Sequence, residues 1–434
     1  MDQKRKVVVT GLGLVTSLGL DVEENWQKAL AGVSGIHRLT HSLSEKAPVQ
    51  AVGQVHASDW RRIEEEFQEE SASEGERKTV FALWAARRAL EDADLLKDSG
   101  PRDRYGVILA SGLGINRLED IHPWIGVDRN FDHLRFGKED EKVRRESIIR
   151  NNSNRTAALV SARFRLHGIN GTVTSACASG TQAVGIGYRA IQRGEADVVA
   201  VGGADSMINP VGLVFFVLLG AATTSPDPPE TLCRPFDRKR SGLVMGEGAG
   251  LAILEEESHA LRRGVNIYAE VVGYGASLDA YQVTAPHPQG RGAEQSMRAA
   301  FRDAGFGPEE IDYINAHGTS TKLNDIIETV AIKKVFGEHA SRVAISSSKS
   351  LIGHLLAASG APEFVFTVLT VARDEIHPTL NLTHSDPKCD LNYVPNGKMI
   401  RTVRAALSNS FGFGGQNGSI IVKKYPKEKA CSST

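Results

Sequence analysis

Several familiar kinds of protein are excluded by what this sequence lacks. Only four cysteines occur in 434 residues, Cys177, Cys233, Cys389 and Cys431, far apart and without a Cys-x-x-Cys pair. A disulfide framework is therefore not expected, and a reducing, cytoplasmic compartment is. There is no excess of charge of either sign: 51 Lys+Arg against 52 Asp+Glu leave a net charge of −1. The chain as a whole thus lacks the basic balance of a nucleic-acid binder. The longest apolar stretch of note, Val211 to Ala222, is far below the ~20 residues needed to cross a bilayer. Lys4, Arg5 and Lys6 before Val7–Leu20 mimic a secretory leader. However, Gly11, Gly13 and Gly19 interrupt the run and no small-x-small cleavage site follows, so Val7–Thr10 reads as a buried first strand. No GxxxxGK[ST] phosphate loop and no GxSxG elbow occur, and Gly11-Leu-Gly-Leu-Val-Thr carries Thr16 where a dinucleotide fingerprint needs its third glycine.

What is present is ordinary globular material, 41% hydrophobic and 24% charged, enough for a large buried core. Short Val/Ile/Ala-rich runs ending in small residues recur at 7–10, 107–110, 171–175, 198–201, 250–254, 269–274, 313–316, 344–347, 405–408 and 419–422. Such runs suggest strands buried on both faces. Helical periodicity lies between them at 79–90, 178–192, 258–263, 295–304 and 362–372. Alternation of the two predicts a layered α/β architecture. With no Pro- or Ser-rich linker, one continuous body of two parts is expected, divided near Glu257 where a strand gives way to a charged helix: 1–257, 258–425, and a flexible tail at 426–434. No strong sequence repeat relates the halves. Two charge-dense stretches, 59–78 and 128–150, read as solvated surface or as contacts for an acidic partner.

Three residues stand in settings suited to chemistry. Cys177, in Thr174-Ser-Ala-Cys-Ala-Ser-Gly, follows a strand-like run and precedes small residues that open a helix. A helix N-terminus favours thiolate, the nucleophilic form, although a buried structural cysteine would look the same. His317 ends a strand that runs into His-Gly-Thr-Ser-Thr, and His354 ends Ser348-Lys-Ser-Leu-Ile-Gly-His, with Lys349 five residues earlier. Loops beyond the carboxyl ends of strands are where α/β folds gather their chemistry. A zinc site of Cys177 and both histidines is conceivable but lacks ligand-type spacing. Phe411-Gly-Phe-Gly-Gly suggests an apolar flap with exposed N–H groups facing a reaction centre.

Taken in order, Val7-Val-Val-Thr-Gly-Leu-Gly, Ala176-Cys-Ala-Ser-Gly-Thr, Arg234-Pro-Phe-Asp, Gly246-Glu-Gly-Ala-Gly, Ala316-His-Gly-Thr-Ser-Thr, Ser348-Lys-Ser-Leu-Ile-Gly-His and Asn409-Ser-Phe-Gly-Phe-Gly-Gly resemble the β-ketoacyl-acyl-carrier-protein synthases, closest to the type II elongating enzymes. The resemblance spans nearly the whole chain. It implies a thiolase-like fold, two related α/β halves in a five-layer αβαβα body, usually a homodimer, with a heterodimer as the other arrangement. It implies an acyltransferase of fatty-acid or polyketide-type synthesis that joins a Cys177-bound acyl chain to a malonyl thioester, with acyl carrier protein as partner. No cofactor is required, since phosphopantetheine arrives on the carrier. By the same resemblance His317 and His354 bind the malonyl carbonyl, and Phe413 gates the site and supplies an oxyanion-hole N–H beside that of Cys177. Lys349 would be paired with Asp325 and Glu328. Thr284, Thr319 and Thr321 would contact the malonyl unit, Leu113 and Phe216 the acyl chain, and Arg77 and Lys78 the carrier. Asn315, Glu363, Ser408 and Asn409 match a structural monovalent-cation site of some relatives. The chain departs from that pattern at Thr321-Lys-Leu-Asn-Asp, where elongating bacterial enzymes typically have Thr-Pro-Ala-Gly-Asp, and at Gly220, where many carry an arginine. A thiolase-type acyltransferase would need a second cysteine in a glycine-rich loop of the C-terminal half. A non-catalytic chain-length-factor-like subunit would lack Cys177.

Overall fold

The computed structural model describes residues 4–40, 47–97, 100–114, 122–139, 151–395 and 397–426. Much of the 128–150 stretch and all but the first residue of the expected tail lie outside these. The strands are β1 (Val7–Val15), β2 (His37–Arg38), β3 (Ala51–Gly53), β4 (Tyr105–Ser111), β5 (Asn170–Val173), β6 (Val198–Ser206), β7 (Met245–Glu256), β8 (Ala269–Leu278), β9 (Tyr313–Asn315), β10 (Ala344–Ser346), β11 (Glu375–Ile376), β12 (Met399–Ile400), β13 (Ala405–Gly412) and β14 (Gln416–Lys424). Each expected strand run falls within or across one of the ten main strands.

The main path runs β10-β9-β13-β14-β8-β1-β7-β6-β4-β5. Split between β8 and β1, it gives one strand order twice. Counting each half's five main strands along the chain, both read third, second, fourth, fifth, first. The pairing senses repeat as well. The first two pairs are parallel (β5–β4, β4–β6; β10–β9, β9–β13) and the next two antiparallel (β6–β7, β7–β1; β13–β14, β14–β8). The halves meet where β1 pairs antiparallel with β8, Val7 opposite Val271 and Val9 opposite Ala269.

Six helices complete the layers: α1 (Arg77–Asp92), α2 (Arg155–Phe164), α3 (Ser179–Gln192), α4 (Arg291–Ala304), α5 (Lys322–Phe336) and α6 (Gly360–Arg373). α3 and α6 touch strands of both halves, sharing a core of Val9, Val199, Val201, Val184, Phe364, Val368, Ile420 and Val422. α1 and α2 cover the outer face of the first half with Phe81, Ala85, Val160, Val107 and Ile253. α4 and α5 cover that of the second with Met297, Ile332, Ile314, Leu407 and Ile421. Alternate residues of one strand therefore enter different cores: Leu254 faces inward and Ile253 outward. A strand buried on both faces has to read as an unbroken apolar run, which is why these strands are legible in the sequence.

The glycines of Gly11-Leu-Gly serve packing, not a nucleotide. A Cβ on Gly13 would lie 1.9 Å from the Ala85 carbonyl oxygen, and one on Gly11 2.2 Å from that of Ala89, so β1 lies directly against α1. Gly13→Ala is expected to destabilise the fold by about 1–3 kcal/mol, the usual penalty for overpacking a filled core. A lowered midpoint in chemical denaturation checks it.

Candidate active site

Cys177 lies in the turn that joins β5 to α3, just ahead of the first helical residue. Ala176 holds φ 48°, a region that disfavours side chains. The turn is locked by Ser179, whose Oγ accepts the Ser175 N–H at 2.8 Å and donates to the Ala176 carbonyl at 2.6 Å. β13 ends against it: a Cβ on Gly412 would come 2.9 Å from the Cys177 nitrogen. The next residue, Phe413, donates its backbone N–H to the thiol. Burial pushes the thiol up to about 11, outweighing the Lys349 charge and the Phe413 N–H that pull it down. The sequence-based expectation of a resting thiolate is thus corrected. The helix terminus is there, but the sulfur is buried and charge on it is disfavoured.

His317 follows β9, and its loop is fixed by two buried carboxylates from α5. Glu328 accepts the N–H groups of His317 and Gly318, each at 2.8 Å, and Asp325 accepts that of Thr319 at 3.0 Å. Lys349 places its Nζ 2.6 Å from the His317 carbonyl and 3.2 Å from His317 Nδ1, and it pairs with the Glu363 carboxylate. The resemblance implies Lys349 paired with Asp325 and Glu328; the direct ion pair is instead with Glu363, while the Lys349 charge still acts on Glu328 from beyond contact. Asp325 and Glu328 are occupied by backbone N–H groups, and Asp325 also lies 3.5 Å from the Arg240 guanidinium. Glu363, the one carboxylate of α6, takes their place in direct contact. Burial raises Glu328 and Glu363 to about 7 each.

His354 is clamped to the start of β7: its N–H donates to the Val244 carbonyl at 2.7 Å, and the Gly246 N–H donates to the His354 carbonyl at 2.9 Å. Its Nδ1 accepts the Leu356 N–H at 3.0 Å and lies 2.7 Å from Ser359 Oγ. A backbone N–H and an ammonium can only donate. Nδ1 is consequently the acceptor in both rings, and the proton of each neutral imidazole is on Nε2. The two rings stand 5.4 Å apart at 89°, and ligand-type atoms of Cys177, His317 and His354 lie within 4.8 Å of one another. Three side chains distant in sequence do converge. A zinc site is nonetheless a poor reading. Nε2 could ligate only after its proton moved to Nδ1, where donors already point.

Burial holds both rings well below the ordinary imidazole range, with the Lys349 charge adding to the effect. The sign for stability follows. The unfolded chain takes up protons below about 6.5 that the native rings refuse. Their contribution is present above that pH and is lost as pH falls. Histidine-labelled NMR should show no titration of these two rings between pH 8 and 6; a midpoint near 6.5 would contradict the assignment.

A cleft of about 450 Å³ opens over the three side chains. Thr284, Thr319, Thr321 and Phe413 line it, as do Asp279, Gly220 and Lys322. The hydroxyls of Thr319 and Thr321 lie 2.8 Å apart. Other expected residues fall elsewhere. Leu113 is 59% exposed and does not line the cleft. Phe216 is buried beside it, in an apolar cluster with Leu213 and Leu243 against which Phe413 packs. Lys78 is only 2% exposed and donates to the Leu113 carbonyl at 3.1 Å. Arg77 pairs with buried Glu247 at 2.9 Å and lies over Trp60. Neither is a free surface cation for a carrier, because α1 turns both toward the protein.

Asn315 and Ser408 face each other across the β9–β13 pair. Among the described residues Asn315 Oδ1 and Ser408 Oγ are buried without a hydrogen-bond partner, whereas Asn409 Oδ1 accepts from Ser419. Two residues were missed in sequence reasoning. Ser359 orients His354, and no local signal marks it. Gly412 admits the nucleophile's turn, and its place in the Phe-Gly-Phe-Gly-Gly run was the available hint.

The duplicated sheet, the central helix pair and a thiol facing two donor imidazoles define a thiolase-like condensing protein. The sequence matches the "Beta-ketoacyl synthase, N-terminal domain" over residues 4–260 and the "Beta-ketoacyl synthase, C-terminal domain" over 268–383. The chain belongs to the beta-ketoacyl synthase family. It is 38% identical over 426 residues to the 3-oxoacyl-[acyl-carrier-protein] synthase 2 of Staphylococcus aureus (strain COL), covering 98% of this chain and 100% of that protein. It is 39% identical over 424 residues to the Synechocystis sp. protein of the same name, covering 98% and 99%. Among solved structures, a ketosynthase in complex with a type II PKS acyl-carrier protein, bound to the hexaketide, is similar at TM-score 0.87 and 32% identity, covering 98% and 100%. The ishigamide ketosynthase/chain length factor follows at 0.85 and 33%, covering 98% and 100%.

Proposed function

We propose that the chain is a β-ketoacyl-[acyl-carrier-protein] synthase that forms carbon–carbon bonds by decarboxylative Claisen condensation. The observation that carries this is the meeting of one buried thiol and two Nε2–H donors in a single cleft. In the first half-reaction the Cys177 sulfur attacks an acyl thioester brought by the carrier's phosphopantetheine. The N–H groups of Phe413 and Cys177 stabilise the oxyanion. The Cys177 proton ends on the departing pantetheine thiol, so no external acid or base is consumed. Because the thiol is neutral at rest, proton and acyl group change places within the site.

In the second, a malonyl thioester carbonyl accepts hydrogen bonds from His317 and His354. Loss of carbon dioxide leaves an enolate whose charge those donors hold. Its carbon attacks the Cys177 thioester, and a β-ketoacyl chain two carbons longer leaves on the carrier. The Cys177 thiolate takes one proton from water, the single proton of the cycle. No cofactor enters beyond the carrier's own arm. Neutral rings suit this role: an imidazolium at both positions would hold the malonyl carboxylate and oppose its loss.

Pairing with a second copy is part of the reading. β5 ends the sheet with partly exposed residues, and an open edge offers a row of N–H and C=O groups for another strand. Light scattering is expected to give twice the mass of the chain; a monomer would contradict this. A division at residue 257 accords with the strand order repeating on either side. A monovalent cation would be held by Asn315 Oδ1 and Ser408 Oγ, the two oxygens of that group without a partner among the described residues, with Asn409 and Glu363 joining only by giving up part of their hold on Ser419 and Lys349. Free thiols at Cys177, Cys233 and Cys389 accord with a cytoplasmic location, and among the described residues no helix is long and apolar enough to cross a membrane.

Relatives in both fatty-acid and polyketide settings leave the reaction common to them. Incubation with acyl- and malonyl-carrier thioesters should yield carbon dioxide and a β-ketoacyl product in equal amounts. Hydrolysis of the acyl thioester without chain extension would count against the proposal.

A further inference from the structure

The segment that starts at His317 lines the cleft from floor to rim. His317 and Thr319 are buried, Thr321 is half-buried, and Lys322 and Leu323 are exposed, all of them on the cleft wall. The backbone at the rim is fixed: Arg240 donates to the Thr321 carbonyl at 3.0 Å and to the Lys322 carbonyl at 3.2 Å. The Lys322 ammonium is different, with no hydrogen-bond or ion-pair partner among the described residues. It is also the only lysine or arginine among the described residues that line the cleft. The one carboxylate among those described residues, Asp279, is occupied by the His287 N–H at 2.8 Å and the Asn417 amide at 3.0 Å. A substrate anion that reaches the rim therefore meets one unpaired positive charge on an anchored backbone.

We propose that Lys322 determines specificity by binding the phosphodiester of the phosphopantetheine arm as it enters the cleft. This rests on the condensing function above. The acyl and malonyl thioesters react at the floor, so the far end of the arm has to lie at the rim, and its only charge is the phosphate. A lysine acts on phosphate as a point charge, without the fixed fork of an arginine. At an exposed rim the effect is modest and falls with salt.

The test uses two small substrates that differ only in the phosphate, malonyl-phosphopantetheine and malonyl-pantetheine, with decarboxylation as the readout. The wild-type enzyme is expected to prefer the phosphorylated compound by about fivefold in kcat/KM, through KM, at low ionic strength, and less in high salt. Lys322→Gln should erase the preference and Lys322→Arg should keep it. Persistence of the preference in Lys322→Gln overturns the proposal. So does an equal loss on both compounds, which would assign the lysine to the malonyl carboxylate. If the wild-type enzyme decarboxylates neither compound, the condensing function itself fails, a result distinct from decarboxylation of both without preference.

Discussion

Cys177→Ala is expected to lose condensation almost completely, with kcat/KM for chain extension down by at least about a thousandfold, while malonyl decarboxylation continues. The two halves of the expectation have separate causes. Acyl transfer needs a nucleophile that becomes covalently bound, and no other described group can supply one. Cys233, the next candidate, is buried with its sulfur against the Lys349 carbonyl at 2.9 Å, and burial pushes it up to about 12. Losing a nucleophile outright removes the whole covalent route. Decarboxylation depends instead on charge stabilisation by His317 and His354, whose Nδ1 partners are Lys349, Leu356 and Ser359 and do not include the thiol. Parallel assays of carbon dioxide release and β-ketoacyl product check both halves. Equal loss of the two activities would place the thiol in the decarboxylation step and contradict the division of labour.

The second large effect is expected at the imidazoles. His354→Ala should lower malonyl decarboxylation by about 10²–10³-fold, the usual consequence of deleting one preorganised donor to a developing oxyanion. Acylation of Cys177 should persist, because its oxyanion is held by backbone N–H groups. His317→Ala should act in the same direction, with an added loss of stability. The Lys349–Glu363 pair is buried, and the ring covers one side of the ammonium. A change at His354 is free of that complication, so it is the cleaner variant. Near-normal decarboxylation in His354→Ala, with the protein folded by circular dichroism, would remove the enolate-binding role.

Much of the fold was legible because its strands are buried on both faces. Val198–Ser206 and Met245–Glu256 alternate between two cores without a polar residue at mid-strand, so their runs stand out. The duplication was not legible, because it resides in strand order and pairing sense, which side-chain identities need not repeat. Helix α5 was missed for a different reason. Asp325 and Glu328 point inward to hold the His317 loop, which blurs the apolar stripe by which a helix is recognised. The motifs around Cys177, His317 and His354 led to the residues of the site but not to their electrical state. A helix start argues for thiolate, and only burial reveals that the thiol wins. The direct partner of Lys349, Glu363, was not among the acids that the resemblance implies, because spacing along α6 does not tell which neighbour Glu363 meets. Arg77 and Lys78 look like a basic surface pair in sequence, yet α1 turns Lys78 into a buried position against Leu113.

The central claim concerns the sulfur of residue 177, and mass spectrometry of the intact enzyme after brief exposure to an acyl-carrier thioester tests it most directly. One acyl group per chain should appear, mapped by digestion to the peptide containing Cys177, and it should be absent from Cys177→Ala. An adduct formed at the same rate in Cys177→Ala, or mapped to Cys233 or Cys389 in the wild-type enzyme, would contradict the account.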